Sequence, residues 1–300
     1  MNSQNPSTPT SNGPSSFERG WNQLRSNKTL FFALAGFLGG FLGDLVTELT
    51  GIMSAKLPAL VTSGFWVAGI VAVISPALAS AAALYNRRQL SAAEVVKMSF
   101  LGALGGGLSG VLIQFFYSAG LDLGLEQGSI TGELFRCGAW GLMGGMVGVL
   151  VARTVPNLKR WRAGCAGLVG GAIGCAGFLM VGAVLSDMPG RLLGVGVMGL
   201  AIGLSIVVAE KLAREASLEI IWAPNEITVA NLGERPVFIG GGREDDVFVK
   251  GYPARHAGIT LKQGRVEYLE GASGRQATLK NGSRMEIGKI TVVVHTDAKI

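Results

Sequence analysis

Five apolar stretches of this chain repeat one arrangement of small residues, and that arrangement is the feature that most limits what it can fold into. After Arg162 come Gly164, Gly167, Gly170, Gly171 and Gly174; after Arg136 come Gly138, Gly141, Gly144, Gly145 and Gly148. Lys97 is followed by Ser99, Gly102, Gly105, Gly106 and Ser109, and Phe31 by Ala33, Gly36, Gly39, Gly40 and Gly43. Arg191 opens a looser copy with Gly196, Gly199 and Gly203. At 100° per residue the five small positions of a full copy fall within an arc of roughly 120°, so one helix face is nearly bare backbone. This is an internal repeat. Glycine weakens helices in water but is frequent in transmembrane helices, where it admits close backbone approach. Of the 46 glycines, 33 lie between Gly36 and Gly203, and helix packing is the reading given to Gly141, Gly145, Gly167 and Gly171.

Composition agrees. The chain of 300 residues is 49% hydrophobic and only 15% charged, against about 25% charged in soluble domains. Six apolar segments, near 29–50, 64–85, 97–118, 134–154, 162–185 and 190–209, each approach the roughly 20 residues that cross a bilayer as helix. The second lacks the glycine pattern and carries Pro76, a candidate kink. Residues 1–28 read as a disordered tail, rich in Ser, Thr, Pro and Asn, followed by an amphipathic lead-in with Trp21; the tail lacks the order of a signal peptide.

The net charge of +6 does not imply nucleic acid, because the cations cluster at the ends of apolar runs. Arg19, Arg25, Lys28, Arg87, Arg88, Lys97, Arg153, Lys159, Arg160, Arg162, Lys211 and Arg214 fall on one side of an alternating series. The other side holds Lys56, Asp122, Glu126, Glu133, Arg136, Asp187 and Arg191. The excess of Lys and Arg places both termini in the cytoplasm of a cell with a multi-pass protein in its membrane. Arg136 and Arg191 are expected to snorkel to the outer surface.

From about residue 216 the helical runs stop. Short alternating stretches from LEIIWA to KITVVVH, separated by turn residues, predict a small all-β sandwich or barrel over 216–300. The fold expected is therefore a membrane α-helical bundle of six transmembrane helices, over 29–210, plus a C-terminal all-β sandwich.

That β region resembles a forkhead-associated (FHA) domain in PVFIGGGREDDVFV, ARHAGITL and LKNGSRMEIGKITVVV. The resemblance implies a sandwich that binds phosphothreonine peptides. It gives structural roles to Gly240, His256 and Gly282, the histidine bracing a loop through hydrogen bonds. The family's phosphate-binding arginine and serine fall on Gly241 and Pro253. Arg243 or Arg255 is the candidate replacement, and Asn281 the candidate loop asparagine, so phosphothreonine binding is in question.

Intramembrane charge is the better pointer to transport. Asp44 and Glu48, one turn apart on one face, are either a cation-binding pair or groups solvated at the outer headgroup boundary near Lys56. Gln114 is placed to hydrogen-bond to a neighbouring helix. Cys137, Cys165 and Cys175 lie inside apolar segments and form no CxxC, so neither a metal site nor a disulfide is expected. There is no GxSxG, and GGGRED is neither a P-loop nor the opening of a nucleotide-binding helix. No enzyme activity and no cofactor are expected. The expected partners are the lipid bilayer and a cytoplasmic protein or phosphopeptide, with a homo-oligomer open. Two functions remain: a scaffold or signalling protein presenting the FHA-like domain, and a channel or carrier regulated by it.

Overall fold

A computed structural model describes residues 16–51, 56–126, 128–185, 187–271 and 273–296, with side chains from residue 20 onward. Of the tail expected over 1–17, residues 1–15 lie outside the described residues, whereas Ser16 and Phe17 begin a helix rather than continuing the tail. An amphipathic helix α1 (Ser16–Ser26) precedes six helices long and apolar enough to cross a membrane: α2 (Lys28–Leu49), α3 (Ala59–Tyr85), α4 (Ala92–Asp122), α5 (Ile130–Val151), α6 (Arg160–Val184) and α7 (Asp187–Leu212). They pack as a ring in sequence order, closed by α2 against α7.

Several helices begin earlier than their apolar content indicates. The start of α4 is fixed by Ser91, whose hydroxyl accepts from the Glu94 N–H while the Glu94 carboxylate accepts from the Ser91 N–H. Ser129 caps α5 through the Gly132 N–H. These boundaries are set by hydroxyl caps rather than by hydrophobicity. The α3 helix continues through Pro76.

The repeated glycines explain the ring. Each full copy carries two adjacent glycines, and in α2, α4 and α6 the two members of the pair turn toward different neighbours, whereas Gly144 and Gly145 of α5 both face α6. In α2, a Cβ on Gly39 or Gly43 would meet the α3 backbone (Ile74 Cα at 3.1 Å, Ile70 Cα at 2.9 Å), whereas Gly36 and Gly40 lie against the α7 carbonyls of Gly199 and Val195. In α6, Gly170 and Gly174 face α7 (Ile202 Cα at 2.8 Å, Met198 Cα at 2.7 Å), while Gly167 and Gly171 face α5. Gly102, Gly106 and Gly110 of α4 rest on α3. One helix thus reaches backbone contact with two partners at once, which a single glycine stripe would not allow. Large apolar side chains on the outer faces, such as Leu104 and Leu108 of α4 and Val169 and Ile173 of α6, are exposed, as lipid-facing residues are.

The chain then forms nine strands among the described residues: β1 (Ala216–Ala223), β2 (Glu226–Leu232), β3 (Val237–Gly240), β4 (Val247–Phe248), β5 (Ala257–Lys262), β6 (Arg265–Glu270), β7 (Gln276–Leu279), β8 (Arg284–Ile287) and β9 (Ile290–His295). They make a sheet ordered β2-β1-β9-β8 and a sheet ordered β4-β3-β5-β6-β7. Leu218, Ile220, Val292 and Val294 of the first sheet share one buried core with Val237, Ile239, Ile259 and Val266 of the second. Alternation of apolar and polar residues along each strand supplies that core.

Candidate functional site

The two edge strands on one side of the sandwich, β2 and β4, are covered by the end of the bundle. An exposed strand edge is a template for unwanted pairing, and here its free groups find bundle partners. The Val229 N–H of β2 donates to the Tyr85 hydroxyl at 2.9 Å, and the Asn231 carbonyl accepts from Asn157 Nδ2 at 3.0 Å. The Phe248 N–H of β4 donates to the Asn86 carbonyl at 3.3 Å. Asn231 is buried and its Nδ2 donates to the Glu210 carbonyl at 2.9 Å, while its Oδ1 accepts from Arg214 Nε. Beneath it, the fully buried Glu210 carboxylate pairs with Lys28 Nζ at 2.5 Å, and that ammonium lies 4.7 Å from the Tyr85 ring centre. Helices α2, α3 and α7 therefore meet strand β2 in one hydrogen-bonded cluster.

Beside this contact a cleft of about 940 Å³ opens between the α3–α4 connection and the β3–β4 loop. Its walls carry Arg87, Arg88, Glu94, Arg243, Glu244 and Lys250. Two of the cations are committed. Arg87 pairs with Glu226 and stacks 4.6 Å from the Trp222 ring centre; Arg88 pairs with Glu94 and donates from Nε to the Arg243 carbonyl at 3.0 Å. The side chains of Arg243 and Lys250 are exposed and make no ion pair among the described residues. Among the described residues the cleft thus presents two cations without ion-pair partners.

The strand register brings the β3–β4, β4–β5 and β6–β7 loops to one end of the sandwich, since Ile239 faces Ala257 and Ala257 faces Glu270. Arg243 and Arg255 both sit there. Arg255 does not line the cleft; it lies over the Phe238 ring at 5.1 Å and 3.7 Å from the carboxylate of Glu244, which does. Asn281 belongs to the turn between β7 and β8, at the opposite end, where its Oδ1 accepts from the Thr296 N–H at 3.2 Å. The structure therefore does not bring Asn281 together with the two arginines. Gly282 is in the same turn with φ +78°, a conformation that suits glycine.

The loop end is closed where an arginine stands in the FHA pattern. A Cβ on Gly241 would overlap the Tyr252 carbonyl oxygen, so no side chain fits. Asp245 is buried, and its Oδ2 accepts from the Gly242 N–H at 2.7 Å and from the Arg255 N–H at 3.1 Å. A carboxylate of the chain itself thus satisfies loop donors that would otherwise face an anion. Gly240 is packed so tightly that a Cβ would stand 2.6 Å from that same Oδ2. Neighbouring Asp246 accepts from the Phe238 N–H at 3.1 Å and pairs with Arg235 at 2.8 Å. Burial nevertheless holds its carboxyl above the ordinary Asp value. His256 joins the loops differently from the expectation. Its backbone carbonyl accepts from Gly271 N–H at 2.9 Å and its ring packs 5.1 Å from Tyr252, while Nδ1 has no hydrogen-bond partner among the described residues.

Within the bundle, Asp44 is fully buried rather than solvated. Trp66 Nε1 donates to its Oδ1 at 2.6 Å, and Oδ2 has no hydrogen-bond partner among the described residues. Glu48 meets Arg191 of α7 at 2.7 Å, and Lys56 is exposed. Arg191, expected to snorkel outward, keeps about one-third of its side chain exposed while making this pair. Gln114 accepts from Ser63 of α3 at 3.0 Å. The packing glycines Gly141, Gly145, Gly167 and Gly171 all lie at the α5–α6 contact, with Gly145 the least crowded, 3.4 Å from the Gly164 oxygen. Cys175 is buried in α6, and all three cysteines are free.

Sequence reading singled out neither Lys250, Asp245, Tyr85, Asn157 nor Asn231. Asn231 carried a signal: an asparagine between apolar residues of a strand is unfavourable unless a partner satisfies it. Comparison with models of protein families, with characterised proteins and with solved structures returned no match.

Proposed function

We propose that this multi-pass membrane protein acts as a scaffold or signalling element, holding its sandwich against the cytoplasmic end of the bundle to dock a protein segment rich in acidic or phosphorylated side chains. The observation that carries the reading is the cleft, whose rim offers Arg243 and Lys250 without ion-pair partners. Charge-assisted donors of this kind recognise carboxylates and phosphates. The FHA resemblance supports the sandwich as a recognition module, but the site differs from the family's. With Gly241 sterically closed and Asp245 filling the loops, docking moves to the cleft between loop and bundle. Cytoplasmic placement rests on the cationic connections, several of which (Arg87, Arg88, Arg214) lie at the sandwich end. The carrier reading loses Glu48, which Arg191 engages, and keeps only Asp44, whose Oδ1 accepts from Trp66 while Oδ2 has no hydrogen-bond partner among the described residues.

The test is peptide-array binding by the full chain in lipid nanodiscs, with each peptide in phosphorylated, acidic and neutral forms. Acidic or phosphorylated peptides should bind, and Arg243→Glu with Lys250→Glu should weaken them by about tenfold or more. Binding that ignores peptide charge, or survives both reversals, refutes the reading.

A further inference from the structure

At the end of the bundle remote from the sandwich, α3, α4 and α5 enclose a cavity of about 230 Å³ lined by Ser63, Trp66, Gln114, Tyr117, Arg136 and Trp140. Its origin lies in the glycine pattern. Helix α4 approaches α5 closely at Gly105, against Met146, and again at Gly120, against Phe135. Between those two points α4 lines the cavity with Ile113, Gln114 and Tyr117. Arg136 is six residues into α5, about 9 Å along its axis from Ile130. Around the cavity, Phe115 and Phe116 of α4 and Leu134 and Phe135 of α5 are exposed on lipid-facing surface.

We infer that this cavity binds a phosphate ester, with Arg136 as the anion-binding group. The Arg136 guanidinium is about one-third exposed and only loosely matched, 3.5 Å from Glu133 Oε2. A planar fork of donors suits a phosphate better than a lone carboxylate at that distance. Among the described residues, the Trp140 indole N–H and the Tyr117 hydroxyl have no hydrogen-bond partner, so both are available to the remaining ester oxygens. Trp66 and Trp140, edge to face at 5.3 Å, form a rigid floor. Two sources share this chemistry, a phospholipid headgroup entering between α4 and α5 and a soluble phosphate ester entering from the aqueous side. The inference is independent of the docking function proposed above.

Thermal unfolding of the full chain in detergent tests it, with four probes: short-chain phosphatidylglycerol, diacylglycerol of equal chain length, glycerol 3-phosphate and a fatty acid of equal chain length. Phosphatidylglycerol should raise the Tm while diacylglycerol and the fatty acid do not. If glycerol 3-phosphate gives the same shift, the ester is soluble; if it gives none, the site takes the lipid. Arg136→Gln should abolish the shift and Arg136→Lys keep part of it. Tyr117→Phe, which removes only the hydroxyl assigned to an ester oxygen, should weaken it and serves if Arg136→Gln fails to fold. Equal shifts from phosphatidylglycerol and diacylglycerol, no shift from either phosphate probe, or a shift that survives both Arg136→Gln and Tyr117→Phe overturns the proposal.

Discussion

Gly144 and Gly138 are both glycines of the same repeat in α5, yet they are not equivalent. A Cβ on Gly144 would collide with the Gly167 carbonyl oxygen and stand 2.9 Å from Gly171 Cα, whereas nothing lies within 4 Å of Gly138. Gly144→Ala should force α5 and α6 apart and destabilise the bundle by about 1–3 kcal/mol, the range of core overpacking. Gly138→Ala should be neutral, or stabilising by up to about 1 kcal/mol through helix propensity. Thermal unfolding of both variants in one detergent reads the difference, and equal effects would show that the pair contact does not hold the helices. Asp246 carries a pH signature. Its carboxyl is raised by burial first, with the Phe238 N–H and Arg235 opposing. The folded state therefore binds this proton more tightly than the unfolded chain, and the group's contribution falls as pH rises from the ordinary Asp value through the raised one. The Tm of the full chain should fall as pH rises across that window, and Asp246→Asn should flatten the dependence. An unchanged profile in the variant would assign the effect to another group.

The elements themselves were legible. Nine alternating stretches in the sequence correspond to the strands observed, and the six apolar runs to the long helices, because burial imposes a period of 2 or the length of a bilayer on any chain. Helix ends were legible only to within a few residues, since Ser91 and Ser129 cap outside the apolar runs. The junction was not legible at all. Tyr85 and Val229 are 144 residues apart, Asn157 and Asn231 74 apart, and no local pattern couples them. The closed loop end escaped for a similar reason. Gly241 and Pro253 in sequence say only that two side chains are missing, while Asp245 and the Tyr252 carbonyl filling the space appear only in three dimensions. The junction yields its own prediction. Tyr85→Phe keeps the ring over Lys28 but strands the Val229 N–H, a loss of about 1–3 kcal/mol for a donor left unpaired. Exchange at the Val229 amide should rise while amides of the β5–β6 pair stay protected; uniform protection would mean the edge strand does not depend on the bundle.

For the whole molecule, the glycine ring and the docked sandwich impose one geometry on the termini. Helix α1 packs on α2 and reaches β2, so the N-terminal helix and the sandwich share one end of the bundle. The charge bias is the ground on which that end is proposed to be cytoplasmic, and the closed β2 and β4 edges mean that the sandwich is held there as part of the body rather than carried on a tether. Both statements meet in a labelling experiment on intact cells. A cysteine at Lys250, in the cleft, should resist a membrane-impermeant maleimide until the membrane is permeabilised. A cysteine at Leu123, exposed in the connection beyond α4, should react at once, with Cys137, Cys165 and Cys175 replaced by alanine or serine in both. The opposite pattern would invert the topology. It would also put Arg243 and Lys250 outside the cell, withdrawing the cytoplasmic partner while leaving the cleft and its charges intact.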